Sequence, residues 1–214
     1  QYVYNGDYGS NKVKFGAYYG GSSKRNIKNV DLKNNRKNTW GTGLIFNHEI
    51  DSIQNVTVAA GFTRETSENA NKTAYYSNAY ALGLAYNFVH TTYGLDLAHK
   101  DTKNKGGAGN KVKNNEVTAV IRQGLNEDWN VYAMYSYKTE KTLPAGSAYS
   151  KSTDRQFLVG TEYYVFKQGS VKVKPFIEWQ ATRTKYENTF DKDSGKQLDR
   201  SRDFKTVIGL RAYW

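Results

Sequence analysis

The 214-residue sequence contains no cysteine, one methionine and two prolines. Without cysteine there are no disulfides and no thiolate–metal chemistry. Long hydrophobic runs are missing as well: nothing approaches the roughly 18 consecutive apolar residues of a membrane-crossing helix, and mean hydropathy is −0.79. Histidine occurs only at His48, His90 and His99, and no metal-ligand spacing or Ser-His-Asp set can be assembled around them. Gly106, Gly107 and Gly109 form no phosphate loop, because the following Lys-Ser/Thr and the strand-to-helix setting are absent. No basic leader followed by an apolar stretch stands at Gln1, so a secretory signal is taken as already removed. These absences lead to expectations of no enzyme, no metal and no cofactor.

Aromatic residues and glycine are abundant. The chain has 18 Tyr, 9 Phe, 4 Trp and 19 Gly, an unusual mixture for a soluble enzyme of this size. Apolar residues instead recur at every second position, which is the period of a strand with one apolar face. Ten segments show this pattern: Lys12 to Gly20, Trp40 to Asn47, Asn55 to Glu65, Asn78 to Val89, Thr92 to Lys100, Glu116 to Leu125, Asn130 to Thr139, Arg155 to Phe166, Val171 to Arg183 and Phe204 to Trp214. In the last, Phe204, Thr206, Ile208, Leu210, Ala212 and Trp214 share one face. In most rows aromatics stand at the ends and aliphatics in the middle, as in two interfacial girdles around an apolar band.

The connections alternate between long polar segments (about 21 to 39, 66 to 77, 101 to 115, 140 to 154 and 184 to 203) and tight links. The chain is therefore predicted to be a single domain, residues 1–214. Its predicted fold is an all-β, transmembrane, antiparallel up-and-down barrel of about ten strands, with twelve as the alternative. Long loops would be extracellular and short turns periplasmic. Pro175 predicts a bulge or an end of regular pairing in the ninth segment. Residues Gln1 to Ser10 would add a strand piece only by breaking the parity of ten. A soluble β-sandwich also alternates, but the face opposite the aromatics is too small-sided to fill a core: Gly41, Gly43, Ala59, Gly61, Ala81, Gly83, Gly94, Ala98, Gly160 and Gly209 lie on it.

The formal charge is +11, which attracts any polyanion. On a barrel the charge falls in two places. If the tenth segment pairs with the first, Lys12, Lys14, Lys172, Lys174 and Arg211 form one basic track inside the lumen, joined by Arg122, Lys138 and Lys205. Asp96, Glu116, Glu162 and Glu178 are the expected counterweights, which leaves the lumen net positive. The second concentration is on surface loops: Lys24, Arg25, Lys28, Lys33, Arg36 and Lys37 in the first, and Lys103, Lys105, Lys111 and Lys113 in the third. Arg64 and Lys72 near the outer rim are candidates for lipopolysaccharide phosphates. His99 with Asp101 near the same rim suggests the catalytic rim of omptin-type barrel proteases, but no paired aspartates lie opposite and His99 falls on the lipid-facing register.

The terminal row ending in Tyr213 and Trp214, apolar at every second position back to Phe204, resembles the C-terminal assembly signal of outer-membrane proteins. Length, lack of Cys, basic lumen and tyrosine-rich strands resemble the small monomeric porins for acidic sugars, such as the oligogalacturonate and sialic-acid channels, which have twelve strands. Basic outer loops on ten strands also resemble the neisserial Opc-type adhesins. The first resemblance implies a monomeric, passive, anion-preferring channel. The second implies a closed barrel whose loops bind anionic glycans. Either way the expected partners are membrane lipid, lipopolysaccharide and small anionic solutes, and not nucleic acid. Lumen open or plugged is left undecided at this level.

Overall fold

The structure is a computed structural model and describes residues 1–21, 34–69, 74–104, 111–144, 149–169, 171–190 and 197–213. Every element in it is a strand. In chain order these are β1 (Tyr2–Tyr8), β2 (Asn11–Gly20), β3 (Asn34–Asp51), β4 (Gln54–Asn69), β5 (Ala74–Phe88), β6 (Thr91–Asn104), β7 (Lys111–Gly124), β8 (Trp129–Leu143), β9 (Ser150–Tyr163), β10 (Phe166–Gln168), β11 (Val171–Phe190) and β12 (Gln197–Tyr213). They form one antiparallel, up-and-down sheet of 12 strands, each pairing with its neighbour in sequence, except that β11 takes β9, the short β10 and β12.

The packing is inverted relative to a water-soluble protein. Among the described residues no hydrophobic side chain is buried, and central residues of many apolar rows are nearly half open: Leu84 46%, Leu97 40%, Ile121 43%, Val159 42% and Ile177 44% exposed. Continuous apolar surface on this scale requires an apolar surrounding, and a sheet is one of the two ways to carry a backbone through lipid. Of the five buried polar side chains among the described residues, Glu162, Lys174, Ser136 and Thr39 lie on the opposite face, and Thr153 alone lies on the outer side, beyond the apolar band. The opposite face is the inner one.

Three expectations are corrected. The segment Tyr2–Tyr8 is a wall strand, registered on β2 with Tyr4 opposite Phe15 and Asp7 opposite Lys12. Its tyrosines extend the outer apolar face, so the parity of ten strands fails. With β10 it brings the count to twelve. Second, most strands run well past the apolar band: β3 has 18 residues, β11 20 and β12 17. Arg36, Lys37, Lys103, Lys111 and Lys113 accordingly sit on strands, not in loops. Backbone pairing does not stop where the side chains turn polar, so hydrophobic alternation underestimates strand length. Third, the sheet does not close through β12 and β2, because β1 occupies that edge of β2. Trp214, Lys24, Arg25, Lys28, Lys33, Lys72 and Lys105 lie outside the described residues.

Pro175 stands where an interruption was expected. The β11–β9 ladder ends at Phe176 and the β11–β10 ladder ends at Val173, so the residue that lacks an N–H falls in the gap between them. Pairing with β12 continues unbroken there, Pro175 opposite Leu210.

Candidate functional site: the inner face

The inner face has two unlike walls. From β3 to β6 it is smooth, with Gly43, Gly61, Ala81 and Ala98 aligned across one row and Ala59, Gly83 and Asp96 across the next. One cavity of about 640 Å³ runs over this wall from Lys14 to Ala98, and a second of about 510 Å³ continues it to Lys100, Glu116, Lys138 and Glu140. The two share Gly61, Ala81 and Ala98, so the space is continuous along the strands.

Glycines elsewhere on the inner face keep that space clear. A Cβ on Gly160 would stand 2.6 Å from the Tyr132 ring, one on Gly209 2.5 Å from the Phe176 ring and one on Gly41 2.7 Å from the Tyr18 ring and the Phe62 carbonyl. Each ring lies flat over a position that has no side chain. The wall thus accepts large residues without projecting them inward.

The second wall, β7 to β12, carries a compact charge network. Glu162 is 4% exposed and accepts hydrogen bonds from Arg122 (2.9 Å), Lys174 (2.7 Å) and Arg211 (2.7 Å). Arg211 also donates to Glu178 at 2.6 Å, and the Tyr132 hydroxyl donates to the same carboxylate at 2.7 Å. The Arg211 guanidinium stacks over the Phe176 ring, 4.1 Å from its centroid. Each long cation is held by a carboxylate two strands away or next door, and the charge-assisted bonds fix the side chains against the wall.

This geometry changes the reading of the basic track. Arg122, Lys174 and Arg211 are brought together, but around Glu162 and Glu178. Lys12 and Lys14 stand at the far edge of the sheet, beside β1, and Lys12 is paired to Glu49 at 2.7 Å. Lys172 is exposed at the end of β11, level with Tyr213. Asp96 lies on the smooth wall under Gly83, and Glu116 lies opposite Lys138.

Following the paired rows, the inward positions among the described side chains hold ten cations: Lys12, Lys14, Lys100, Arg122, Lys138, Lys167, Lys172, Lys174, Lys205 and Arg211. They also hold ten carboxylates: Asp7, Glu49, Glu65, Asp96, Glu116, Glu140, Asp154, Glu162, Glu178 and Asp203. The inner face is close to neutral, not net positive. Glu49 falls between the alternating segments that end at Asn47 and begin at Asn55, Glu65 ends one of them, and Glu140 and Asp154 bound the polar connection 140 to 154, so alternation does not place these carboxylates on the inner face.

His99 and Asp101 do meet, Nε2 to carboxylate oxygen at 3.3 Å, with Lys111 3.8 Å from the other oxygen. The pair faces outward, on the side of Leu95 and Leu97, away from the cavities' inner wall. Lys103 and Lys113 share that outward side.

No family model matches the chain, and no curated protein matches it. Among solved structures it is similar over 99% of its length to a structure described as the outer-membrane expressed OmpT of Vibrio cholerae, covering 80% of that chain at 12% identity with a TM-score of 0.54. A second, described as an in-vitro folded OmpT, an outer membrane protein of Vibrio cholerae in a trimer form, matches over the same shares at 11% identity and a TM-score of 0.51. The fold is that of an outer-membrane β-barrel. At this identity the likeness concerns backbone architecture alone, and the outer apolar band of exposed Leu, Ile, Val and aromatic residues is what that architecture requires in lipid.

Proposed function

We propose that the chain forms a channel in the bacterial outer membrane for passive diffusion of small polar solutes, acidic sugars among them. The observation that carries this reading is the inner face itself, with continuous cavities over a glycine- and alanine-lined wall and with inward rings laid flat over Gly160, Gly209 and Gly41. A plugged interior needs side chains that reach across, and these are folded back. Because inward charge is nearly balanced, the channel has no strong charge preference, in contrast to the anion filter expected from the sequence. Paired charges along β7 to β12 offer both donors and acceptors to polar solutes. Purified chain in planar bilayers is expected to give discrete conductance steps, and complete absence of conductance in correctly folded protein would remove the reading.

A channel also needs a closed wall. Among the described residues the outer edges of β1 and β12 have no strand partner, and Phe204, Ile208 and Leu210 on β12 are 65%, 77% and 64% exposed, well above their counterparts in mid-sheet. Unpaired backbone is not tolerated in hydrocarbon, so the proposal includes pairing of these two edges with each other. Both strands run toward the short-turn end, which makes the seam parallel. Since the chain has no cysteine, single cysteines at Val3 or Asn5 can be combined with a scan across Val207 to Arg211. Intramolecular disulfides in one register are expected. Cross-links only between molecules, or between β12 and β2, would contradict the seam.

A further inference from the structure

The outward face of the extracellular end carries a second charge cluster of a different kind. Moving outward along β9, β11 and β12, the apolar band ends in an aromatic row, Phe157, Trp179 and Phe204, whose neighbouring rings lie 6.4 and 6.1 Å apart. Beyond it the same face turns basic. Arg155 is registered directly opposite Arg183, and Arg183 directly opposite Arg202, so three arginines occupy adjacent positions of one face on strands about 4.8 Å apart. One step further out, Lys185 is opposite Arg200. Like charges placed directly opposite on one face repel, and among the described residues Arg155, Arg183 and Arg202 have no carboxylate partner. The Arg155 guanidinium lies 5.9 Å from the Tyr137 ring. The nearby Glu187 is 3.6 Å from Lys185 and 3.7 Å from Lys151. A cleft of about 320 Å³ here is lined by Arg155, Arg183, Lys185, Arg200 and Lys151 with one carboxylate, Glu187, and Arg202 stands beside it.

We infer that this cleft is a binding site for the phosphate groups of an outer-leaflet glycolipid of the lipopolysaccharide type. Two independent features point to such an amphiphile. Among the described residues Arg155, Arg183 and Arg202 have no carboxylate partner, and Lys151, Lys185 and Arg200 outnumber the two carboxylates near them, Glu187 and Asp199. Directly beneath them, on the same strands and the same face, lies the apolar surface of Trp179, Ile177, Val159, Ile208 and Leu210, on which acyl chains of the same molecule would rest. Basic clusters at a membrane interface attract anionic headgroups in this way. The inference depends on the outward orientation of this face, not on conduction through the lumen, so failure of one leaves the other standing.

The test uses full-length chain folded in detergent and titrated with diphosphorylated lipid A, with its dephosphorylated counterpart and with inorganic phosphate, followed by tryptophan fluorescence. Folding of every variant is checked by its heat-dependent gel migration. The triple variant Arg155→Gln, Arg183→Gln, Arg202→Gln is expected to bind lipid A at least about tenfold more weakly than wild type. Dephosphorylated lipid should bind wild type as poorly as lipid A binds the variant. If the triple variant does not fold, Lys185→Gln with Arg200→Gln in the next row is expected to show a smaller loss in the same direction. Unchanged binding by the folded variants overturns the site. Inorganic phosphate binding as tightly as the lipid would make it a free-anion site, and an equal loss from Arg64→Gln, far around the rim, would reduce it to diffuse charge. Either result also overturns the inference.

Discussion

The Glu162 cluster inside the wall and the Arg183 cluster outside it use the same residue types in opposite arrangements. Inside, three cations surround a carboxylate and share it through bonds of 2.7 to 2.9 Å. Outside, arginines from three successive strands face one another with no carboxylate between them. The inward charges are arranged to satisfy each other, which holds long side chains against the wall and keeps the inner face near neutral. At the rim, Arg155, Arg183 and Arg202 have no carboxylate partner among the described residues. Total charge, +11 for the chain, therefore says little about the lumen.

The largest expected effect breaks the inner cluster. Glu162→Gln removes the carboxylate that Arg122, Lys174 and Arg211 share, and Lys174, with its side chain only 7% exposed, is left in place without it. Loss of one partner from a buried pair costs roughly 3 kcal/mol, so the urea midpoint of the refolded barrel should fall markedly. Gly160→Ala is next: its Cβ would meet the Tyr132 ring at 2.6 Å and push the ring off the wall. Overpacking of this kind costs about 1 to 3 kcal/mol, and single-channel conductance should drop because the displaced ring enters the lumen. The smallest effect sharpens the contrast. Arg183→Gln, read in neutral detergent without glycolipid, should stabilise by a few tenths of a kcal/mol, since it relieves like-charge opposition across strands. A large loss there would show that the rim arginines are structural, and the contrast between the two clusters would disappear.

Much of this was legible in the sequence for a physical reason. Lipid selects apolar residues at every second position, so rows such as Phe204, Thr206, Ile208 and Leu210 announce both strand and face. Where that selection ends, so does the signal, and the polar outer halves of β3, β4, β11 and β12 could be recognised only as loops. The segment Tyr2–Tyr8 was ambiguous because its outer row is all Tyr and Gly while Val3 points inward. Charge pairing was harder still. Arg122 and Arg211 reach Glu162 from 40 and 49 positions away, and that proximity follows from register across intervening strands, which no local pattern encodes. The rim cluster did leave a trace: Arg155 and Arg202 each stand two residues from a girdle aromatic, Phe157 and Phe204, and so share its face.

The reversal potential of wild type and Glu162→Gln, measured in planar bilayers under the same KCl gradient, tests the balanced-lumen account most directly. A channel whose inward charges are matched should show a reversal potential close to zero in the wild type. In the variant, where Arg122, Lys174 and Arg211 lose a shared counter-charge, it should move clearly toward anion preference. A wild type already strongly selective for anions, or two identical reversal potentials, would contradict the account.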